Sequence, residues 1–156
     1  MTLDIRLELF MEPLYVINPA RLEDLLFIDS QIPEFDGRNT LSKLQAQCAD
    51  VDHLALVAYI DNEPVAYKLG YALDSNTFYS WLGAVAPKCR GQGIAQALLN
   101  AQEAWVKANN YRTIKVKSMN RFPAMLSLLI KNGYSIVGYE DRGSQQTSKI
   151  LFTKDI

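Results

Sequence analysis

The stretch Trp81-Leu82-Gly83-Ala84-Val85-Ala86-Pro87-Lys88-Cys89-Arg90-Gly91-Gln92-Gly93-Ile94-Ala95 decides the fold. Its first part, up to Val85, is apolar and reads as the end of a strand, and Pro87–Gly93 reads as a loop. From Ile94 onward the apolar residues fall at helical spacing, with Ile94, Leu98, Ala101, Trp105 and Ala108 on one stripe. A strand therefore runs through a glycine-bearing loop directly into an amphipathic helix. That arrangement aims several backbone N–H groups and the positive helix end at one point, a natural place for a phosphate. Gly91 and Gly93 let the main chain approach such a ligand closely. Two familiar phosphate loops do not fit. A P-loop needs GxxxxGK[ST], which is absent, and a dinucleotide fingerprint needs a third small residue where Gln96 stands.

Outward from this segment the chain alternates short strands with helices. Upstream, His53–Ile60, Pro64–Leu73 and Thr77–Val85 are apolar runs separated by Asp61-Asn62-Glu63 and Asp74-Ser75-Asn76, the pattern of an antiparallel meander. Before them, Leu14–Ile17 reads as a strand, and Asn18 as an N-cap with Pro19 at the first helical position. Thr40 caps a second helix that carries Leu41, Leu44 and Cys48 on one side, after a loop over Gln31–Asn39. Downstream, Thr113–Ser118 alternates, with Ile114 and Val116 to one side and Lys115 and Lys117 to the other. Pro123–Asn132 reads as a helix stopped by Gly133, and Tyr134–Tyr139 and Ser148–Thr153 as the last two strands. The predicted class is a mixed α/β sandwich, a meander followed by β-α-β-α-β-β.

The 156 residues suit one domain over 1–156, since a domain takes roughly 100–200. Hydrophobic residues at 49% and charged residues at 21% match a soluble globular chain and argue against disorder. No run approaches the ~20 apolar residues of a membrane span. Met1–Met11 carries Asp4, Arg6 and Glu8 where a signal peptide needs an unbroken apolar stretch; its alternation makes residues 1–12 an extra edge strand or arm. Cys48, Cys89 and the single His53 share no metal-ligand spacing, so no metal is expected and a reduced, cytoplasmic setting fits. Residues 88–131 hold eight Lys/Arg against Glu103 alone, whereas residues 1–87 hold five against thirteen Asp/Glu. The basic stretch fits an anion site, and the acidic half would repel a nucleic acid.

The loop resembles the pyrophosphate loop of the GNAT superfamily of N-acetyltransferases, [RQ]-x-x-G-x-[GA], filled here by Arg90, Gly93 and Ala95. Val85 and Pro87 upstream, Ala97-Leu98-Leu99 downstream and the element order over residues 14–153 agree. The resemblance implies acetyl-CoA as co-substrate, its diphosphate held by N–H groups of Arg90, Gly91, Gln92, Gly93, Ile94 and Ala95. It implies that the Trp81–Val85 strand splays from its neighbour, so that Ala84 and Val85 offer backbone bonds to pantetheine as an added strand would. Gly83 sits where a bulge wants a small residue, and Asn120 resembles the asparagine that holds the cofactor arm.

The implied reaction is direct attack of a primary amine, from a small molecule or a protein, on the thioester in a ternary complex. The chain departs from the family at both proton-handling positions: Leu129 stands where a tyrosine acid is common, and Tyr79 where a carboxylate base is frequent. Tyr79 and Tyr139 are the candidate catalytic residues, and Glu34, Phe78 and Trp81 the candidate acceptor-site residues. An acidic, aromatic rim from Glu34, Asp36 and the aromatics would suit a protonated amine. The alternative is a catalytically degenerate acyl-CoA-binding sensor or scaffold. Neither a nucleic acid nor a membrane is expected as partner; a homodimer is common among look-alikes.

Overall fold

A computed structural model of the chain describes residues 14–156, so the strand or arm read at residues 1–12 lies outside the described residues. Strands β1 (Val16–Pro19), β2 (His53–Ile60), β3 (Glu63–Ala72) and β4 (Thr77–Val85) pair antiparallel in succession. β5 (Thr113–Met119) then joins β4 in parallel. The last two strands, β6 (Ser135–Glu140) and β7 (Lys149–Asp155), form a hairpin whose second strand inserts beside β5. The sheet order is β1-β2-β3-β4-β5-β7-β6, within the mixed α/β architecture that the element pattern predicts.

Helices cover both faces, which is why β2 and β3 are near-continuous apolar runs. On one face α3 (Ile94–Ala108) and α4 (Pro123–Lys131) bury Leu56, Phe78, Leu98, Leu99, Ile114 and Leu129. On the other, α1 (Leu22–Asp29) and α2 (Leu41–Cys48) bury Leu25, Ile28, Leu44, Val57, Tyr67 and Leu69. Asp29 at the end of α1 accepts from Tyr67 Oη at 2.6 Å and from Asn39 Nδ2 at 3.0 Å, which ties the α1–α2 loop to the sheet.

One helix start differs from the sequence reading. Asn18 and Pro19 continue β1 opposite Val57 and Leu56, and α1 begins after Arg21, whose backbone N–H donates to Asp24 at 3.2 Å. Proline is tolerated there because, among the described residues, β1 pairs on one side only.

Two irregularities in β4 shape the site. Its register against β3 passes from Gly70↔Ser80 to Leu69↔Leu82, so Trp81 is the extra, bulged residue; Gly83, expected at the bulge, pairs regularly with Lys68. Gly70 is required opposite the bulge, since a Cβ there would strike the Phe78 ring and lie 2.7 Å from the Tyr79 carbonyl. Second, β4 pairs with β5 only over Thr77–Ser80, against Thr113–Val116. Beyond Ser80 the two parallel strands part.

Candidate active site

The gap between β4 and β5 has one polar edge, and the backbone parity of β4 sets it. Ala86 donates to Val65 O at 2.8 Å, so the backbone groups of Ala84 and Ala86 face β3. Those of Gly83 and Val85 alternate away from β3, toward the gap. Val85 C=O accepts from Arg90 Nε at 3.1 Å. The open edge is therefore supplied by Gly83 and Val85, and the expected contribution of Ala84 is corrected: its amide is turned to β3.

Just beyond this edge, the chain turns through a 3₁₀ segment (Pro87–Cys89) into the loop Arg90–Gly93. Gly91 and Gly93 have φ of +81° and +79°, left-handed values that glycine adopts without strain, and a Cβ at either would meet nothing within 4 Å. Among the described residues, no acceptor takes the N–H groups of Gly91 through Gln96, and α3 starts with neither a side-chain cap nor an acidic residue in its first turn. Six unpartnered donors and an unshielded helix N-terminus thus lie together, beside open space at Gly91 and Gly93. An anion fits here; a linked pair of phosphates fits well.

The α1–α2 loop spans the far end of the gap. Glu34, in the 3₁₀ turn Pro33–Phe35, lies 3.5 Å from Arg90 Nη1, and its carbonyl accepts from Arg121 Nη2. Phe35 packs edge-on against Phe122 at 6.4 Å. The hydrogen bond from its own backbone N–H, with Arg90 and Arg121 adding to it, holds the Glu34 carboxyl below its ordinary range against the opposing effect of burial. Asn120 donates its Nδ2 to Gln145 O at 3.0 Å, fastening the β6–β7 loop.

A cavity of about 480 Å³ opens on the α1/α2 face of the sheet where β4 and β5 begin to part. Tyr79 and Trp81 line it with Tyr71, whose ring meets theirs edge-on at 5.5 and 5.6 Å. Lys115, Lys117 and Glu140 line the opposite side. Burial, with Tyr71 and Glu140, pushes the Tyr79 hydroxyl up to about 12, and Arg142 pulls the other way. On the α3 face, behind Gly83, burial pulls the Lys68 ammonium down to about 8 against the pull of Glu103. Gln102 of α3 is fully buried, and among the described residues its side-chain amide has no partner.

The structure brings together two of the five residues singled out for catalysis and acceptor binding. Tyr79 and Trp81 share the cavity wall. Phe78 does not: it is fully buried on the opposite face, against Trp105 and Tyr111, because adjacent strand residues alternate. Tyr139 pairs with Ile150, which packs on the α3/α4 core, and so points away from the cavity and is 55% exposed. Glu34 is drawn to Arg90, whose Nε donates to Val85 O six residues along β4 from Tyr79, a strand length of roughly 20 Å. Lys117 and Glu140 were not singled out; what brings them to the cavity is the β5–β7–β6 register, which no local pattern encodes.

Among the described residues, no group of three or more His, Cys, Asp or Glu is placed to hold a metal ion, and no helix is long and apolar enough to cross a membrane.

Known proteins agree with this geometry. Residues 20–134 match the model of the acetyltransferase (GNAT) family. Solved structures share the fold at low identity. A GNAT family acetyltransferase from Elizabethkingia anophelis, with acetyl-CoA bound, is 21% identical over 93% of this chain and 100% of its own, with a TM-score of 0.71. The ribosomal-protein-S18-alanine N-acetyltransferase from Escherichia coli is 14% identical over 91% of this chain and 94% of its own, at 0.79. NAA60 from Arabidopsis thaliana, in complex with a bisubstrate analogue, is 16% identical over 91% and 98%, at 0.74. No curated protein sequence matches the chain. With the family model covering well over half of its length, the chain belongs to the acetyltransferase (GNAT) family.

Proposed function

We propose that the protein transfers an acetyl group from acetyl-CoA to a primary amine of a small molecule or a protein, within a ternary complex. The observation that carries this is the run of unpartnered amides from Gly91 to Gln96 beside the open edge of β4. Those amides and the α3 N-terminus hold the diphosphate, and Gly83 and Val85 offer backbone hydrogen bonds to the pantetheine arm. When bound, acetyl-CoA supplies a thioester whose C–S bond breaks as the amine nitrogen forms the N–C bond and whose sulfur leaves as the thiol. The Elizabethkingia structure with acetyl-CoA supports this choice of donor. A cytoplasmic setting accords with Cys48 and Cys89 being unpaired and buried.

The chain's own groups divide the work. Tyr79 is a proton donor and not a base, because a hydroxyl pushed up to about 12 stays protonated at neutral pH. Trp81 and Tyr71 form the apolar wall on which the acceptor rests. Glu34 acts through Arg90, holding that side chain over the Val85 carbonyl; it is a positioning residue. Asn120 fastens the β6–β7 loop through its Nδ2, and its Oδ1 serves the cofactor arm as the resemblance implies.

Incubation with acetyl-CoA and a panel of amines tests the reading by release of free thiol. Amine-dependent release is expected. Tight CoA binding without release across the panel would favour the sensor reading, which Leu129 motivates: it is fully buried in the core where the family places a tyrosine acid.

A further inference from the structure

The cavity has two unlike walls, and together they specify the acceptor. On β3 and β4 the wall is aromatic: Tyr71, Tyr79 and Trp81, continued by Leu73. On β5 it is cationic. Alternation puts Lys115 and Lys117 on the cavity face, and cross-strand pairing of Lys149 with Glu140 puts Lys149 on the same face. Glu140 is already engaged, by Lys117 Nζ at 2.8 Å and Arg142 Nη2 at 3.0 Å. Asp74, which acts on Lys115 from a distance, accepts the backbone N–H groups of Asn76 and Thr77 at 2.8 Å. Among the described residues, no carboxylate lies within ion-pair distance of Lys115 or Lys149. The acids expected to form an acidic rim are turned elsewhere, Glu34 to Arg90 and Asp36 to Arg38.

This excess of cations is a field. Burial first, then Arg142, Arg38 and Lys117, disfavour the Lys149 ammonium, and Glu140 opposes them. An acceptor whose only charge is its ammonium would meet the same repulsion.

We propose that the acceptor is a small amine that also carries a carboxylate on an apolar or aromatic frame, the frame resting on Tyr71, Tyr79 and Trp81 and the carboxylate meeting Lys115, with Lys149 four residues farther along the same face. The inference rests on the acetyl-transfer reading above and narrows its substrate.

Phenylalanine and phenethylamine share the ring and the amine and differ by the carboxylate. With acetyl-CoA saturating, kcat/KM for phenylalanine is expected to exceed that for phenethylamine at least tenfold. The advantage should fall to threefold or less in the Lys115→Met variant, whose exposed side chain is not needed for folding. Equal rates, or a preference for phenethylamine, would overturn the proposal. Should neither amine turn over, calorimetric titration of both into CoA-saturated protein reads the same preference: tighter phenylalanine binding supports the proposal, and equal, reversed or absent binding overturns it. Absence of acetyl-CoA binding would instead mark failure of the transfer reading, and the two amines would then be titrated into the protein alone.

Discussion

The anion loop and the acceptor cavity are built on opposite principles. The loop is made of backbone: left-handed glycines, unpartnered amides and a helix end, all within Arg90–Gln96. The cavity is made of side chains from five strands, β3 through β7, whose contributors Tyr71 and Leu151 lie far apart in sequence. In the function proposed above, the first binds a constant feature, a linked phosphate, and needs no particular side chains. The second selects a variable partner and is nothing but particular side chains. A protein that keeps its donor and changes its acceptor would divide the labour this way.

The sharpest way to break the contrast is through the strand geometry that both sites share. Gly70→Ala places a methyl against Phe78 and the Tyr79 carbonyl, at the bulge that separates the two faces. Overpacking of this kind is expected to cost about 3 kcal/mol, read by chemical denaturation, and an unchanged midpoint would show that the bulge is pliable. Gly93→Val should act on the loop alone. A β-branched residue resists the φ of +79°, and CoA affinity by calorimetry should fall a hundredfold, or about 2.7 kcal/mol, with acceptor binding retained.

Lys68→Met probes the face behind the loop. The Lys68 pKa is near 10.5 when unfolded and about 8 when folded, so the folded state disfavours its charge. The resulting destabilisation is full below about pH 8 and disappears as pH rises toward 10.5. The variant should therefore be more stable by roughly 2 kcal/mol at pH 7 and gain little at pH 10, measured by denaturation at the two values. A gain independent of pH would contradict a buried cation there. Tyr79→Phe is the mildest of the series, and it sharpens the cavity's role. The turnover number should drop about tenfold with acetyl-CoA affinity unchanged, and the wild-type rate should show no fall attributable to this hydroxyl below pH 10.

What the chain disclosed by inspection follows the same division. The strand, loop and helix around Gly91 and Gly93 are contiguous, and period and glycine placement carried them without tertiary information. The three-strand meander was equally legible, since short turns force neighbouring strands to pair. The misses are tertiary. Phe78 and Tyr79 are adjacent aromatics that no pattern separates; which one enters the core depends on Gly70 across the strand. Tyr139 reads as a candidate until the β6–β7 register, broken between Ile136 and Gly138, turns it from the cavity. Pro19 reads as a helix start because proline favours that position, and it ends a strand because β1, among the described residues, pairs only with β2. That Lys117 meets Glu140 depends on the hairpin beside β5, which comes more than fifteen residues later.

Titration of ¹⁵N-labelled protein with CoA, followed amide by amide, tests the phosphate-loop assignment most directly. The largest chemical-shift changes are expected at Gly91 through Gln96, with smaller ones at Gly83 and Val85 on the open edge of β4. Saturable shifts elsewhere, with the Gly91–Gln96 amides unmoved, would contradict it.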